Sequence, residues 1–348
     1  MLICPETAHD IALSALYLSG YFNPALRFLN DRYSIKDERL SRKIFNIEFP
    51  NPIGLAAGFD KNAHALPALA SMGFGFIEAG TVTLWPEPGN PKPRIFKGYG
   101  GKWILNRVGF ANHGSQKISR NLFSYHSKFS PLMPIGISLG KMRTSPAERL
   151  SVEVRQMLRL FYPSASFFAI NVSCPNVKDR SGLNKVGLIK HTLQEIINEN
   201  ASVAAHANTH KRPVLVKVGP ILSQYETDSL SAAFEEACVD GIIATNTMPV
   251  CHGGLSGLPL RELALKTLKR FYQRLNGRIP LIGVGGILSP EDAWQRISCG
   301  ASLVELYSGF IFRGPHVIRE TCRYLLDRMD KKGFKNIKEA CGIDAQQD

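Results

Sequence analysis

Residues 169–177 read A-I-N-V-S-C-P-N-V. A β-prone run over 167–170 gives way there to Asn171, Ser173, Cys174 and Asn176, where a strand should pass into a loop. A thiol beside amide side chains at a strand end offers a general base or nucleophile among groups that both donate and accept hydrogen bonds. Cysteine is also a common small buried hydrophobe, so this segment alone supports a structural thiol as well as a reactive one.

Other residues share this chemistry. Lys217 lies inside the apolar run L-V-K-V, and a charge there needs a partner or a ligand. Its ammonium suits negative charge developing on an electron-accepting ring; the plainer reading is a lysine paired with a carboxylate inside the fold. Lys61 follows Asp60, which makes a surface ion pair its bland alternative. Asn106, Asn171, Asn176 and Asn246 offer the donor–acceptor pairs that read a planar heterocycle, although any one Asn near a turn is commonly a turn residue. The runs G-V-G-G-I (283–287) and Y-S-G-F (307–310) are small enough for backbone N–H groups to approach a phosphate, and equally suit tight turns. These positions are rich in amides and poor in carboxylates and show no His/Asp/Glu cluster, which argues against a metal hydrolase; no metal is expected.

The elements that must carry these residues show a regular alternation. Apolar strand-like runs recur at 52–59, 76–83, 135–139, 167–174, 213–219, 241–247, 280–287 and 303–309, with helical patterns at 60–71, 146–160, 187–199, 223–238, 259–275 and 290–298. Eight strands interleaved with helices predict an α/β fold, a (β/α)8 TIM barrel; an open doubly wound sheet is the alternative. In a barrel the chemistry belongs at the C-terminal strand ends, where the residues above fall. The Pro- and Gly-rich stretch 84–112 reads as an excursion or hairpin, and the polar tail after Asp330 carries no signal.

Composition sets the frame. The 348 residues carry a formal charge of +13, which favours anionic partners. The basic residues are dispersed and no zinc-finger or RNA-binding signature occurs, so no nucleic-acid partner is expected. Seven cysteines, with no C-x-x-C pair, argue against a disulfide framework. No apolar stretch is long enough to span a bilayer, and Glu6, His9 and Asp10 before the apolar 11–19 run argue against a secretion signal. Residues 7–19 have helical spacing, and Asn23-Pro24 reads as an N-cap opening a second short helix through Leu29. Two amphipathic helices with a basic rim either lie in a membrane interface or pack on the main domain's flank.

With these residues in place the chain resembles the dihydroorotate dehydrogenases, specifically the membrane-associated, quinone-dependent class 2 form. The resemblance runs from about Pro5 to Phe312. It is carried by N-P-I-G-L-A-A-G-F-D-K (51–61), G-T-V-T (80–83), P-G-N-P-K-P-R (88–94), N-R-V-G-F (106–110), S-C-P-N (173–176), A-T-N-T (244–247), G-G-L-S-G (253–257), G-V-G-G-I and Y-S-G-F-I-F (307–312). It implies a barrel over 44–335 that binds flavin mononucleotide (FMN), an N-terminal extension over 1–43 that meets the membrane surface and admits a quinone, and a tail over 336–348. It also implies oxidation of dihydroorotate to orotate in pyrimidine biosynthesis. The protein would then be peripheral, on the cytoplasmic side of a bacterial-type inner or plasma membrane.

Residue by residue, the resemblance gives substrate binding to Lys61, Asn106, Arg107, Val108, Gly109, Phe110, Asn171, Asn176, Asn246 and Thr247. Cofactor binding falls to Ala57, Gly58, Phe59, Asp60, Lys61, Thr81, Ser138, Asn171, Lys217, Thr245, Gly257, Gly286, Tyr307 and Ser308. The catalytic base falls on Cys174, where the quinone-linked class normally has serine and the soluble class 1 enzymes have cysteine. Ser138 and Met142 also depart from the pattern G-I-N-I-G-K-N, in which both positions are Asn. A loop over 175–187, hinged at Gly182 and Gly187, is expected to close over the site. The alternatives are a soluble class 1-like enzyme using fumarate or another acceptor, a related FMN barrel acting on another substrate, and a non-catalytic flavoprotein or membrane-surface module.

Overall fold

The computed structural model describes residues 4–98, 100–129, 133–172 and 182–346. A short hairpin, β1 (Arg42–Ile44) and β2 (Ile47–Phe49), precedes the first barrel strand, β3 (Ile53–Leu55). Then follow β4 (Phe76–Val82), an excursion hairpin of β5 (Ile95–Gly98) and β6 (Trp103–Asn106), β7 (Ile135–Leu139), β8 (Phe167–Asn171) and β9 (Val214–Val218). β10 (Gly241–Ala244) leads into a second hairpin, β11 (Met248–Val250) and β12 (Gly253–Gly257), before β13 (Leu281–Val284) and β14 (Ala301–Leu306).

β3, β4, β7, β8, β9, β10, β13 and β14 pair in parallel into a closed barrel. Strands buried on both faces need continuous apolar runs, which is how these eight read in the sequence. The open-sheet alternative is excluded by the ladder between β14 and β3, where Val304 stands opposite Ile53.

Two cores result. The large one fills the layer between strands and helices, and a smaller one inside the barrel gathers Phe49, Phe76, Phe167, Leu215, Ile243, Ile282 and Leu303. The Phe76 ring occupies the place a side chain on Gly54 would take, 2.2 Å from its Cβ position, so β3 must carry glycine there. The β1–β2 hairpin plugs the N-terminal end: Phe49 meets Phe76 edge-on, with centroids 5.5 Å apart.

Helix 60–71 of the sequence reading begins only at Leu66, running to Ser71. Pro67 sets its first turn, and the Asp60 carboxylate accepts from the His64 and Ala65 backbone N–H groups just before it. The N-terminal helices are α1 (Pro5–Ser19) and α2 (Asn23–Tyr33). Asn23 is not the expected cap: Phe22 holds that place with no side-chain hydrogen bond, and α2 runs past Leu29. Both helices pack on the flank, α1 against Leu66–Ser71 and β5, α2 against Leu66–Ser71 and His316–Lys332. Ile11, Leu18 and Phe28 on these helices, and Tyr21 and Phe22 in the connection between them, are more than half exposed.

The loop expected over 175–187 is shortened by a helix, Gly182–His206, which takes both supposed hinge glycines. The tail beyond Lys335 is tied down, since Gly342 N–H donates to Ile297 O and Gln273 Nε2 to Ala345 O.

Candidate active site

The two hairpins join across the barrel mouth into one four-stranded antiparallel sheet in the order β11-β12-β6-β5. Beneath it, at the C-terminal ends of the barrel strands, lies a cavity of about 770 Å³. Asn106 reaches it from the end of β6 and its Nδ2 donates to Gly254 O across the ladder, at 3.2 Å. Asn171 ends β8, and Asn246 follows β10 with its Nδ2 3.5 Å from Asn171 Oδ1. The backbone N–H of Thr247 donates to Asn246 Oδ1 at 2.8 Å, which fixes that amide's orientation.

On the opposite side, Lys61 lines the cavity and its Nζ donates to Gly58 O at 2.7 Å. Burial, then the nearby Arg94 charge, holds the Lys61 ammonium below its usual range. An anion arriving at this ammonium relieves both effects.

Lys217, on β9, is buried in the cavity floor between two carboxyl groups. Its Nζ lies 2.6 Å from Glu78 Oε2 on β4 and 3.4 Å from Glu305 Oε2 on β14. The backbone N–H of Ala57 donates to the same Glu78 oxygen at 3.3 Å. Burial works against this ammonium, but the Glu305 and Glu78 charges outweigh it and raise its pKa. Lys217 is thus paired with carboxyl groups inside the barrel, as in its plainer reading, and it also lines the cavity.

The last two strands supply the small-residue end. Gly285 and Gly286 follow β13, and Tyr307 and Ser308 follow β14. Gly286 has φ +71°, and a side chain there would strike the Arg261 backbone at 2.4 Å. Fully buried Arg296 braces this turn: its Nη2 donates to Gly285 O at 2.9 Å and Arg261 O at 2.6 Å. Burial, opposed by Asp292, lowers that guanidinium's pKa to about 10. The Tyr307 phenol is pushed up to about 12 by burial and stays protonated.

Of the expected residues, Ala57, Gly58, Lys61, Thr81, Asn106, Arg107, Val108, Gly109, Phe110, Asn171, Lys217, Thr245, Asn246, Thr247, Gly286, Tyr307 and Ser308 line the cavity. Four others stand behind the wall. Phe59 packs edge-on against His9 and Phe310. Asp60 caps the turn before Leu66–Ser71. Ser138 Oγ lies 3.0 Å from Thr81 Oγ1. Gly257 ends β12 within the sheet across the mouth and abuts Lys102 O. Cys174 and Asn176 lie outside the described residues.

Sequence reasoning missed Arg143, Asn90, Ser256 and the carboxyl of Glu305 as lining groups, and Glu78 behind them. A signal existed for the carboxyls: both sit inside apolar strands, F-I-E-A and L-V-E-L, as Lys217 does.

The donor set fits a flavin mononucleotide. The cavity of about 770 Å³ has an ammonium at its floor and the glycine turns of Gly285 and Gly286 in its lining after β13. A Cβ at Gly58 would meet only the Tyr307 ring, at 3.4 Å, so the space over that turn is left by a missing side chain.

The closed parallel barrel and its amide-rich, lysine-floored mouth define a (β/α)8 barrel with a cavity at the C-terminal ends of its strands. Residues 39–329 match the family model described as dihydroorotate dehydrogenase, and the chain belongs to that family. It is 37% identical over 358 residues to a protein of Mycobacterium ulcerans (strain Agy99) called dihydroorotate dehydrogenase (quinone), covering 99% of this chain and 96% of that one. A protein of the same name from Acidithiobacillus ferrooxidans is 38% identical over 352 residues, covering 98% and 96%. The crystal structure of the Eimeria tenella enzyme in complex with ferulenol superposes with a TM-score of 0.86 at 32% identity, covering 98% of this chain and 96% of that one.

Proposed function

We propose that this chain oxidises dihydroorotate to orotate in pyrimidine biosynthesis, with FMN in the mouth and a quinone as final acceptor. The observation that carries the reading is the convergence of Lys61, Asn106, Asn171, Asn246 and Thr247 on one cavity whose floor is Lys217. The full-length similarity to quinone-dependent relatives supports the acceptor.

FMN, when bound, supplies acceptance of a hydride from the substrate and onward delivery of the electrons. Lys217 and Thr81, with the turns at Gly58, Gly286 and Tyr307–Ser308, would hold it. Lys61 binds the substrate carboxylate, and burial around that ammonium makes the pairing stronger than it would be in water. The Asn amides and Thr247 fix the pyrimidine ring in one orientation, so that reacting atoms meet without a further search. Cys174, as thiolate, takes the proton from substrate C5. The rim sheet covers the mouth and limits water there.

Among the described residues no helix is long and apolar enough to cross a membrane. The exposed Leu18 and Phe28 of α1 and α2, with Tyr21 and Phe22 in the connection between them, support a peripheral attachment, with the quinone entering beside these helices from the bilayer. Attachment from the cytoplasmic side of a bacterial-type inner or plasma membrane follows from that reading.

Anaerobic mixing of the purified flavoprotein with dihydroorotate tests the proposal. Bleaching of the flavin absorbance, followed by faster reoxidation with a short-chain quinone than with fumarate, is expected. No bleaching overturns the substrate; preference for fumarate overturns the acceptor.

A further inference from the structure

Three ionisable side chains meet in the barrel interior: Glu78, Lys217 and Glu305 are 1%, 5% and 0% exposed. One ammonium faces two carboxyl groups, so with all three ionised the cluster would carry an uncompensated negative charge in a dry site. That is the most costly arrangement available to it. The bonding shows the same mismatch. Lys217 Nζ serves Oε2 of both glutamates, the shorter contact going to Glu78, which also accepts from Ala57 N–H. Oε1 of Glu78 and Oε1 of Glu305 are each buried without a donor. Both carboxyl groups converge on the one ammonium, their Oε2 atoms 2.6 and 3.4 Å from Lys217 Nζ. Two acceptors side by side lack one thing, a proton.

We propose that Glu78 and Glu305 share a single proton, resting on Glu305, so that the triad is neutral and Glu305 serves as a carboxylic acid that positions the Lys217 ammonium on the cavity floor. With the proton in place, Glu305 donates where two carboxylates would repel, and Lys217 keeps its short pairing to Glu78. Glu305 lines the cavity, so a positioning residue for the proposed flavin reaction stands where negative charge on a bound ring would be felt. The triad itself depends on neither the substrate nor the acceptor named above.

Among the described residues, the charged groups that act most strongly on Glu305 are Glu78 from β4 and Lys217 from β9, and its ladder neighbours on β13 and β3 are Val284 and Gly54. Burial first, then the Glu78 charge, hold the Glu305 carboxyl well above its ordinary value of 4.5, against the pull of Lys217.

Difference infrared spectra of the purified holoprotein at neutral pH test the shared proton. Wild type minus Glu305→Gln should show one deuterium-sensitive carbonyl band of a neutral carboxylic acid. Wild type minus Glu78→Gln should show it too, since the surviving glutamate in either variant ionises against Lys217. Absence of the band from both differences overturns the proposal. A second measurement covers a variant that folds poorly. In denaturant titrations, the folding equilibrium constant of Glu305→Gln should gain on wild type tenfold per pH unit above about 4.5, because wild type alone must hold the extra proton. A difference that stays flat with pH also overturns it. A fault in the flavin or substrate reading would leave both results unchanged.

Discussion

Arg94 Nε donates to Glu6 Oε1 at 2.7 Å, and both side chains are largely buried. This pair ties α1 to the excursion that carries β5, with Lys92 Nζ 3.5 Å from the same carboxylate oxygen. Burial raises the Glu6 carboxyl, but the hydrogen bond and charge of Arg94 bring it below its ordinary value.

Glu6→Ala should therefore loosen α1 and leave the catalytic mouth intact. Removing one partner of a buried charged pair costs about 2 kcal/mol, roughly a 30-fold shift in docking. Reoxidation by quinone should slow while flavin bleaching by dihydroorotate proceeds at the wild-type rate. Stopped-flow measurement of the two half-reactions checks this, and equal loss in both would contradict it.

His9, also on α1, stacks edge-on to Phe59 with centroids 5.0 Å apart. Burial, assisted by the Lys61 charge, drops its pKa to about 4. A depressed pKa means the neutral ring contributes its full stability above about 6.5, and that contribution is lost as pH falls toward 4. The loss is at most about 3 kcal/mol. Thermal unfolding of wild type and His9→Gln from neutral pH downward should converge as pH falls through that window.

Gly286→Ala should separate cofactor retention from folding. Its left-handed φ and the 2.4 Å approach to the Arg261 backbone leave no room for a methyl group without moving the turn. FMN affinity should weaken by about ten- to hundredfold, with the fold retained. Fluorescence of released flavin measures it.

Cys174→Ala should keep flavin and lose about a hundredfold or more in turnover, the usual range for a general base. A free thiol ionises at about 8.5, so the wild-type limb should titrate nearer neutrality than that of Cys174→Ser. A pH–rate profile unchanged in the serine variant removes that titration prediction, and full turnover in Cys174→Ala removes the base assignment.

Much of this was legible in the chain. Barrel strands buried on both faces announce themselves as apolar runs, and loop residues such as Lys61 and Asn246 fall at their ends by counting. Pairings between distant segments were not legible. Nothing local in Gly254 says that it stands opposite Asn106, and nothing in L-V-E-L says that Glu305 meets Lys217. The late start of helix Leu66–Ser71 was masked because the apolar spacing of 60–71 continues through residues that Asp60 holds in a turn.

The ladder between Gly254 and Asn106 spans 148 residues of chain, and the seam joining β14 to β3 is longer still. Contacts so remote in sequence close late in folding. A nascent polypeptide on the ribosome consequently has no finished mouth until Leu306 has emerged. A chain cut before β14 would keep Lys217 but lack the seam with β3 and the Glu305 carboxyl beside that ammonium.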